Sequence, residues 1–197
     1  LLIVQDPSSV TAAAMAAENI IEPEIILDVC AAPGGKSLYL AERFPGSAVI
    51  SRDISENKAA KIRENAERLG INNITVQIQD ALLTDEFMKE KADIVIADLP
   101  CSGLGVINKK PDILLRLTKE DLKELAYLQK KILSVVQSYV KPGGILLYST
   151  CTINRDENEN NAKWFIDHYA FKEEVTKQFL PGRDPYDGFF IARFKKY

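Results

Sequence analysis

Four times in its first hundred residues the chain closes a short apolar run on or near an aspartate. The runs are Glu24–Cys30 (EIILDVC, holding Asp28), Ala48–Asp53 (AVISRD), Ile74–Ile78 with Asp80 just beyond, and Ala92–Asp98 (ADIVIAD). Between the first three lie stretches of helical period, opening at Lys36–Arg43 and running over Ser55–Leu69, where Ser55 stands at the N-cap and Gly70 at the stop. Such alternation predicts a parallel α/β sheet, because strands covered by helices on both faces carry apolar residues on both. Further on, Thr118–Val140 reads as a long helix, with Thr118 and Asp121 spaced like a capping box. The turn Pro142-Gly143-Gly144 then leads into a fifth strand, Ile145–Thr150. A helix over Asp156–Tyr169 and strand-like segments at Glu173–Thr176 and Gly188–Phe194 complete the pattern as an antiparallel hairpin. The expected fold is one α/β domain over residues 1–197, a seven-stranded, mostly parallel sheet ending in that hairpin.

Composition excludes several function classes. A length of 197 residues suits a single domain, given roughly 100–200 residues per domain. The 25 Lys and Arg against 28 Asp and Glu give a net charge of −3, which excludes a nucleic-acid binder working through bulk positive charge but not one with a local basic groove. No apolar run approaches the ~18 residues of a membrane span, so no membrane association is expected. Leu1–Pro7 lacks the basic and apolar regions of a signal peptide. Cys30, Cys101 and Cys151 are too few for a disulfide framework, and the single His168 leaves little for a zinc site, so no metal is expected. The default compartment is a reducing cytoplasm.

The segment Asp28-Val29-Cys30-Ala31-Ala32-Pro33-Gly34-Gly35-Lys36-Ser37 runs from a strand end into a helix start. Small residues there let a ligand approach the backbone, and free amides at the helix start suit oxygen-rich groups. Gly35-Lys36-Ser37 resembles the end of a phosphate-binding P-loop, but that pattern needs glycine where this chain has Cys30. A dinucleotide fingerprint fails too, since only the pair Gly34-Gly35 occurs. An adenosyl-methionine loop of the class I methyltransferase type remains. Asp53, Asp80 and Asp98 at later strand ends strengthen it. A carboxylate at Asp53 can accept both hydroxyls of a ribose, and one at Asp80 an adenine amino group.

Two thiols stand in small, polar loops at strand ends: Cys101 in Asp98-Leu99-Pro100-Cys101-Ser102-Gly103 and Cys151 in Tyr148-Ser149-Thr150-Cys151-Thr152. In a doubly wound sheet these two strands are neighbours, so both sulfurs can face one crevice. Cys30, closing an apolar strand, reads instead as a small buried hydrophobe. A methyl-transfer site has use for a thiol when the acceptor is carbon 5 of a pyrimidine. A thiolate adding to carbon 6 creates an enamine whose carbon 5 is nucleophilic. A second group must then remove the carbon 5 proton so that the thiol can leave, and Asp98 is placed to hydrogen-bond the ring edge. The chemistry alone leaves open which cysteine attacks.

The motifs DVCAAPGGKS, DLPCSG, KKPDI and YSTCT, in this order, resemble the RNA cytosine-5 methyltransferases of the Sun/Fmu (RsmB) and nucleolar Nop2-like family. The resemblance runs from VQDPSS (Val4–Ser9) to DGFFIARF (Asp187–Phe194) and is most like the catalytic domain of the bacterial Sun-type small-subunit rRNA enzyme. It implies a class I, Rossmann-like fold and transfer of a methyl group from S-adenosyl-L-methionine to carbon 5 of a cytosine in RNA. It implies that Cys30, Ala31, Ala32, Pro33, Gly34, Gly35, Lys36, Asp53, Asp80 and Asp98 bind the cofactor, with Lys36 orienting groups in the pocket. Cys151 is implied as the nucleophile and Cys101 as the group assisting product release. The family's amino-terminal RNA-binding region has no counterpart here, which fits the absence of net positive charge. Lys109-Lys110, beside the DLPCSG loop, is the basic pair expected to meet RNA phosphate; Lys130-Lys131 reads as a solvated helix face. Asn154 and Glu157–Asn158 receive no role. Two rival readings are a Cys101–Cys151 redox switch, disfavoured by the lack of C-x-x-C spacing, and a non-catalytic module retaining the fold. Small-subunit rRNA is the expected RNA, with tRNA or large-subunit rRNA the alternatives.

Overall fold

The computed structural model describes residues 6–184 and 186–197, so of the Val4–Ser9 motif only Asp6 onward lies within the described residues. Seven strands form one sheet: β1 (Ile25–Asp28), β2 (Ala48–Asp53), β3 (Ile74–Ile78), β4 (Ala92–Asp98), β5 (Val140–Thr150), β6 (Phe171–Phe179) and β7 (Phe189–Lys196). Their spatial order is β3-β2-β1-β4-β5-β7-β6. The first five run parallel, β7 runs antiparallel to β5, and β6 pairs antiparallel with β7. The α/β sheet with a terminal hairpin is therefore present as expected, with the last strand inserted beside β5.

Among the described residues six α-helices accompany it: α1 (Pro7–Ala17), α2 (Gly35–Arg43), α3 (Glu56–Leu69), the short α4 (Ile113–Arg116), α5 (Lys119–Val136) and α6 (Glu159–His168). Consecutive residues of the central strands supply the two faces in turn. Ile26, Ile94, Ile96, Leu147 and Ile191 pack with α1 and α2 residues such as Ala12, Ala16 and Leu40. Leu27, Val95, Ala97, Tyr148 and Phe190 pack on the other face with Leu133 and Val136 of α5 and Phe165 of α6. This double coverage is why the strands read as continuous apolar runs. Full burial of each Ile, Leu, Val or Phe among them stabilises the fold by about 1.5–3 kcal/mol.

Several local features differ from expectation. The alanine-rich α1 has no sequence-level counterpart above; Asp6 caps it by accepting from the Ser8 amide at 3.0 Å. β1 ends at Asp28, leaving Val29 and Cys30 in the loop. Ser55 occupies the N-cap of α3 but its side chain makes no capping bond, whereas Thr118 and Asp121 form the full capping box on α5. α5 stops at Val136 and continues as one 3-10 turn, Gln137–Tyr139. β5 begins at Val140, and the residues between its pairings Val140↔Ala92 and Ile145↔Ile94 form a bulge that absorbs Pro142-Gly143-Gly144. Among the described residues no helix is long and apolar enough to cross a membrane.

The strand order reverses between β1 and β4. In open α/β sheets ligands bind beyond the carboxyl ends of the strands at this point. Asp28 and Asp98 are the last residues of those two strands.

Candidate active site

The loop after β1 turns sharply into α2. Gly34 caps the helix at φ 104°, a conformation that side chains rarely adopt, and a Cβ there would sit 3.2 Å from Ile62 Cγ2. Asn65 Nδ2 donates to the Pro33 carbonyl at 2.9 Å, fastening the loop to α3. A cleft of about 260 Å³ opens beside this loop, lined by Cys30–Pro33, Gly35, Lys36, Asp28 and Asp98, and completed by Asp6, Ser9 and Asn65.

Asp28 is 1% exposed. Its Oδ2 accepts from Ser37 Oγ at 2.7 Å, while its Oδ1 is buried without a hydrogen-bond partner. Burial pushes its pKa up to about 7, against the opposing influence of Ser37 and the Lys36 ammonium. An orphaned acceptor in the wall of a cleft fits a ligand that brings a donor, such as an ammonium group. Cys30, in the same wall, has its thiol pKa raised by burial, with the charges of Asp28, Asp53 and Asp98 adding to the effect.

Asp53 stands behind the loop. Its Oδ2 accepts from the Ala32 amide at 2.9 Å, and its Oδ1 accepts from the Ile54 amide at 2.8 Å and faces Lys58 Nζ at 3.1 Å. Asp80 lies two residues past β3, half-buried, with Oδ1 accepting from the Leu82 amide at 2.9 Å. The carboxylate series is thus on one sheet edge, but in this geometry Asp53 shapes the loop and Asp80 a turn.

Lys36 reaches across the cleft. Its Nζ lies 2.5 Å from Asp98 Oδ2 and 2.8 Å from Ser9 Oγ on α1. The second oxygen of Asp98 accepts from Ser149 Oγ on β5 at 2.7 Å, so Asp98 is held between neighbouring strand tips. Beyond it, the sulfurs of Cys101 and Cys151 are 3.2 Å apart, and all three cysteines are free thiols. The pair is asymmetric. The hydrogen bond from Cys101 lowers the pKa of Cys151, with Lys36 helping and burial and Asp98 opposing. Cys101 moves the opposite way, because ionising it would lose that bond, and burial adds to the rise.

The two cysteine loops are fastened together. The Gly105 amide donates to the Cys151 carbonyl at 3.0 Å, and the Gly188 amide donates to the Gly105 carbonyl at 2.8 Å. Ser102 Oγ and Thr152 Oγ1 are 2.7 Å apart. Underneath lies Glu157, 0% exposed, which accepts from the Ser102 amide and from Gln129 Nε2, both at 2.9 Å.

Residues 15–195 match the family model described as 16S rRNA methyltransferase RsmB/F. The chain belongs to this family. Ribosomal RNA small subunit methyltransferase B of Escherichia fergusonii is 38% identical over 182 residues, covering 88% of this chain and 42% of that relative. Its namesake from Vibrio cholerae is 37% identical over 198 residues, covering 94% and 45%. The chain thus spans less than half the length of these curated relatives. The crystal structure of NSun6 from Pyrococcus horikoshii with SFG is similar with a TM-score of 0.85 at 29% identity, covering 98% of this chain and 52% of that one.

Within this RsmB/F domain, the cleft gathers Cys30, Ala31, Ala32, Pro33, Gly35, Lys36 and Asp98 from the residues singled out in the sequence. Gly34 turns the loop without lining the cleft. Lys109 is 61% exposed along its side chain yet bridges Asp6 at 3.2 Å and Asp187 at 2.6 Å, so two carboxylates occupy the cation expected to meet phosphate. Sequence reasoning passed over Ser9, Ser149, Gln129 and Glu157. Ser9 and Ser149 stand inside quoted motifs, VQDPSS and YSTCT, and carried that signal; Gln129 sits in a helix with nothing to mark it.

Proposed function

We propose that this domain transfers a methyl group from S-adenosyl-L-methionine to carbon 5 of a cytosine in RNA, with small-subunit rRNA as the substrate. The observation that carries the reading is the 3.2 Å approach of Cys101 and Cys151, which do not line the cleft but stand close enough to it for the charges of Lys36 and Asp98 to act on Cys151. Cys151 is the nucleophile in this reading: its ionisation is favoured by the hydrogen bond from Cys101 and by Lys36. Its Sγ forms a bond to carbon 6 of the base, and the electron pair displaced onto the ring makes carbon 5 nucleophilic. Bound in the cleft, adenosyl-methionine supplies an electrophilic methyl on a sulfonium. Asp28, Cys30–Pro33, Gly35 and Lys36 are the residues that would hold it, and the unpartnered Asp28 Oδ1 suits its ammonium end. Asp98 holds the ring edge of the base. Cys101, in contact with the attacking sulfur, assists product release, in which a base takes the carbon 5 proton and the bond from carbon 6 to Cys151 breaks with its electron pair returning to sulfur. The target base is unpaired or flipped, since carbon 6 must be approached from a face that stacking covers.

The test is incubation with small-subunit rRNA and isotopically labelled adenosyl-methionine, followed by nucleoside analysis. Label in 5-methylcytidine supports the reading. Label on another atom, or none from a folded protein that binds the cofactor, overturns it.

A further inference from the structure

We propose that Glu157 is a positioning residue that sets the approach of the two thiols. Its carboxylate binds both cysteine loops at once. On the Cys101 side, Oε2 accepts from the backbone amide of Ser102 at 2.9 Å. On the Cys151 side, Oε1 accepts from Nδ2 of Asn154 at 3.0 Å, and the Asn154 amide in turn donates to Thr152 Oγ1 at 3.2 Å. Gln129 braces the same point from α5: its Nε2 donates to Glu157 Oε2 at 2.9 Å and to the Pro100 carbonyl at 3.0 Å, so Cys101 is gripped at the residue before and the residue after it. Tyr148 OH donates to the Glu157 carbonyl and lies 3.2 Å from Gln129 Oε1, and Asn161 Nδ2 donates to Gln129 Oε1 at 2.9 Å.

A buried carboxylate is costly unless each oxygen is met by donors. Here N–H groups from three segments meet it, which makes the arrangement intolerant of a donor in its place. The position does more than anchor. Its charge also opposes ionisation of Cys101, a minor influence beside the Cys151 contact and burial. The spacing of the two loops thus converges on one side chain that touches neither reacting atom.

This inference rests on the Cys151 reading above, but its first readout needs neither RNA nor cofactor. Iodoacetamide reports thiolate, so alkylation of the 197-residue chain, mapped by mass spectrometry, gives the ratio of Cys151 to Cys101 reactivity as a function of pH. Glu157→Gln sets an NH2 against an existing donor. The expected result is a loss of Cys151 selectivity by about tenfold or more, with the Cys151 profile moved to higher pH. In the methylation assay kcat falls by a similar factor while KM for adenosyl-methionine stays put, since Glu157 does not line the cleft. Should Glu157→Gln not fold, Asn154→Ala decides, because it takes away the Oε1 contact made by a half-buried side chain, together with one acceptor for the exposed Asp156 amide; a smaller shift in the same direction is expected. A folded variant with the selectivity and pH profile of the parent overturns the inference. Selectivity that shifts as expected in a protein whose parent never methylates RNA upholds the positioning role and sinks the catalytic reading instead.

Discussion

Lys36 and Asp98 meet at 2.5 Å across the cleft, joining the first turn of α2 to the tip of β4. The ammonium also contacts Ser9 of α1 and lies 5.4 Å from the ring centroid of Phe189 on β7, so four elements converge on one cation. Its charge favours ionisation of both Asp28 and Cys151. Lys36 therefore links the cleft to the thiol pair electrostatically.

Replacing Lys36 by Met retains much of the stem and removes the charge. Cys151 should then ionise at higher pH, seen as an upward move of its alkylation profile. Methyl transfer should fall by about 10²-fold or more, the usual scale for a lost acid–base or charged partner. Lys36→Arg, which keeps the charge but not the compact geometry, should restore the alkylation profile more fully than the rate. An unchanged profile in Lys36→Met would remove the electrostatic link.

The two cysteines should separate on substitution. Cys151→Ala should lower methyl transfer by at least about 10³-fold while leaving cofactor affinity unchanged, because the nucleophile is lost and the cleft is not. Cys101→Ala should allow attack but slow elimination, so a protein–RNA adduct should survive denaturing electrophoresis. Adduct in Cys151→Ala and none in Cys101→Ala would exchange the two roles.

Asp28 makes stability depend on pH in a defined window. Its pKa in the folded protein, about 7, stands above the ordinary carboxylate value of 3.8. Between these values the folded state binds more protons than the unfolded one, so stability declines as pH rises through the window and the penalty is complete above about pH 7. Asp28→Asn keeps a partner for Ser37 and removes the titration. Relative to the parent, it should be more stable at pH 8 by on the order of 2 kcal/mol, or about 4–8 °C in Tm, with the difference shrinking towards pH 4. Cofactor affinity should fall at the same time if, as proposed, this acceptor meets the ammonium end of the ligand. Calorimetry at the two pH values and a binding titration check both.

The parallel core was legible because burial on both faces writes an unmistakable pattern: ADIVIAD sends Ile94 and Ile96 to one layer and Val95 and Ala97 to the other. The placing of Cys101 and Cys151 followed from strand adjacency alone. α1 escaped because TAAAMAA offers alanine on every face, so no stripe of one period stands out. The β5 bulge escaped because Pro142-Gly143-Gly144 reads as a turn, and only pairing with β4 shows the ladder resuming around it. Asp53 was read for its ligand alone, and the bond that its carboxylate accepts from the Ala32 amide had no sequence signal. Gln129 and Glu157 were illegible for a more general reason. Buried polar residues gain meaning from partners distant in the chain, and nothing across the 28-position separation of Gln129 and Glu157 signals that the two will touch.

Gly105 is the point where three backbones cross. A Cβ at this position would lie 1.9 Å from the Gly188 carbonyl oxygen and 2.8 Å from the Cys151 carbonyl oxygen, and neither neighbour is a side chain that can swing away. Gly105→Ala must therefore push the Cys101 loop off the Cys151 loop or the β6–β7 connection off both. Overpacking against backbone of this kind costs about 3 kcal/mol, so Tm should drop by about 6–12 °C. The thiols should part in the same step, and the variant should lose Cys151 alkylation selectivity at temperatures well below its unfolding transition. Gly46→Ala serves as the control, since a Cβ there meets nothing within 4 Å, and it should leave both Tm and selectivity at parental values. If Gly105→Ala lowered Tm but kept the selectivity intact, the crossing would be a packing constraint with no bearing on the sulfur pair.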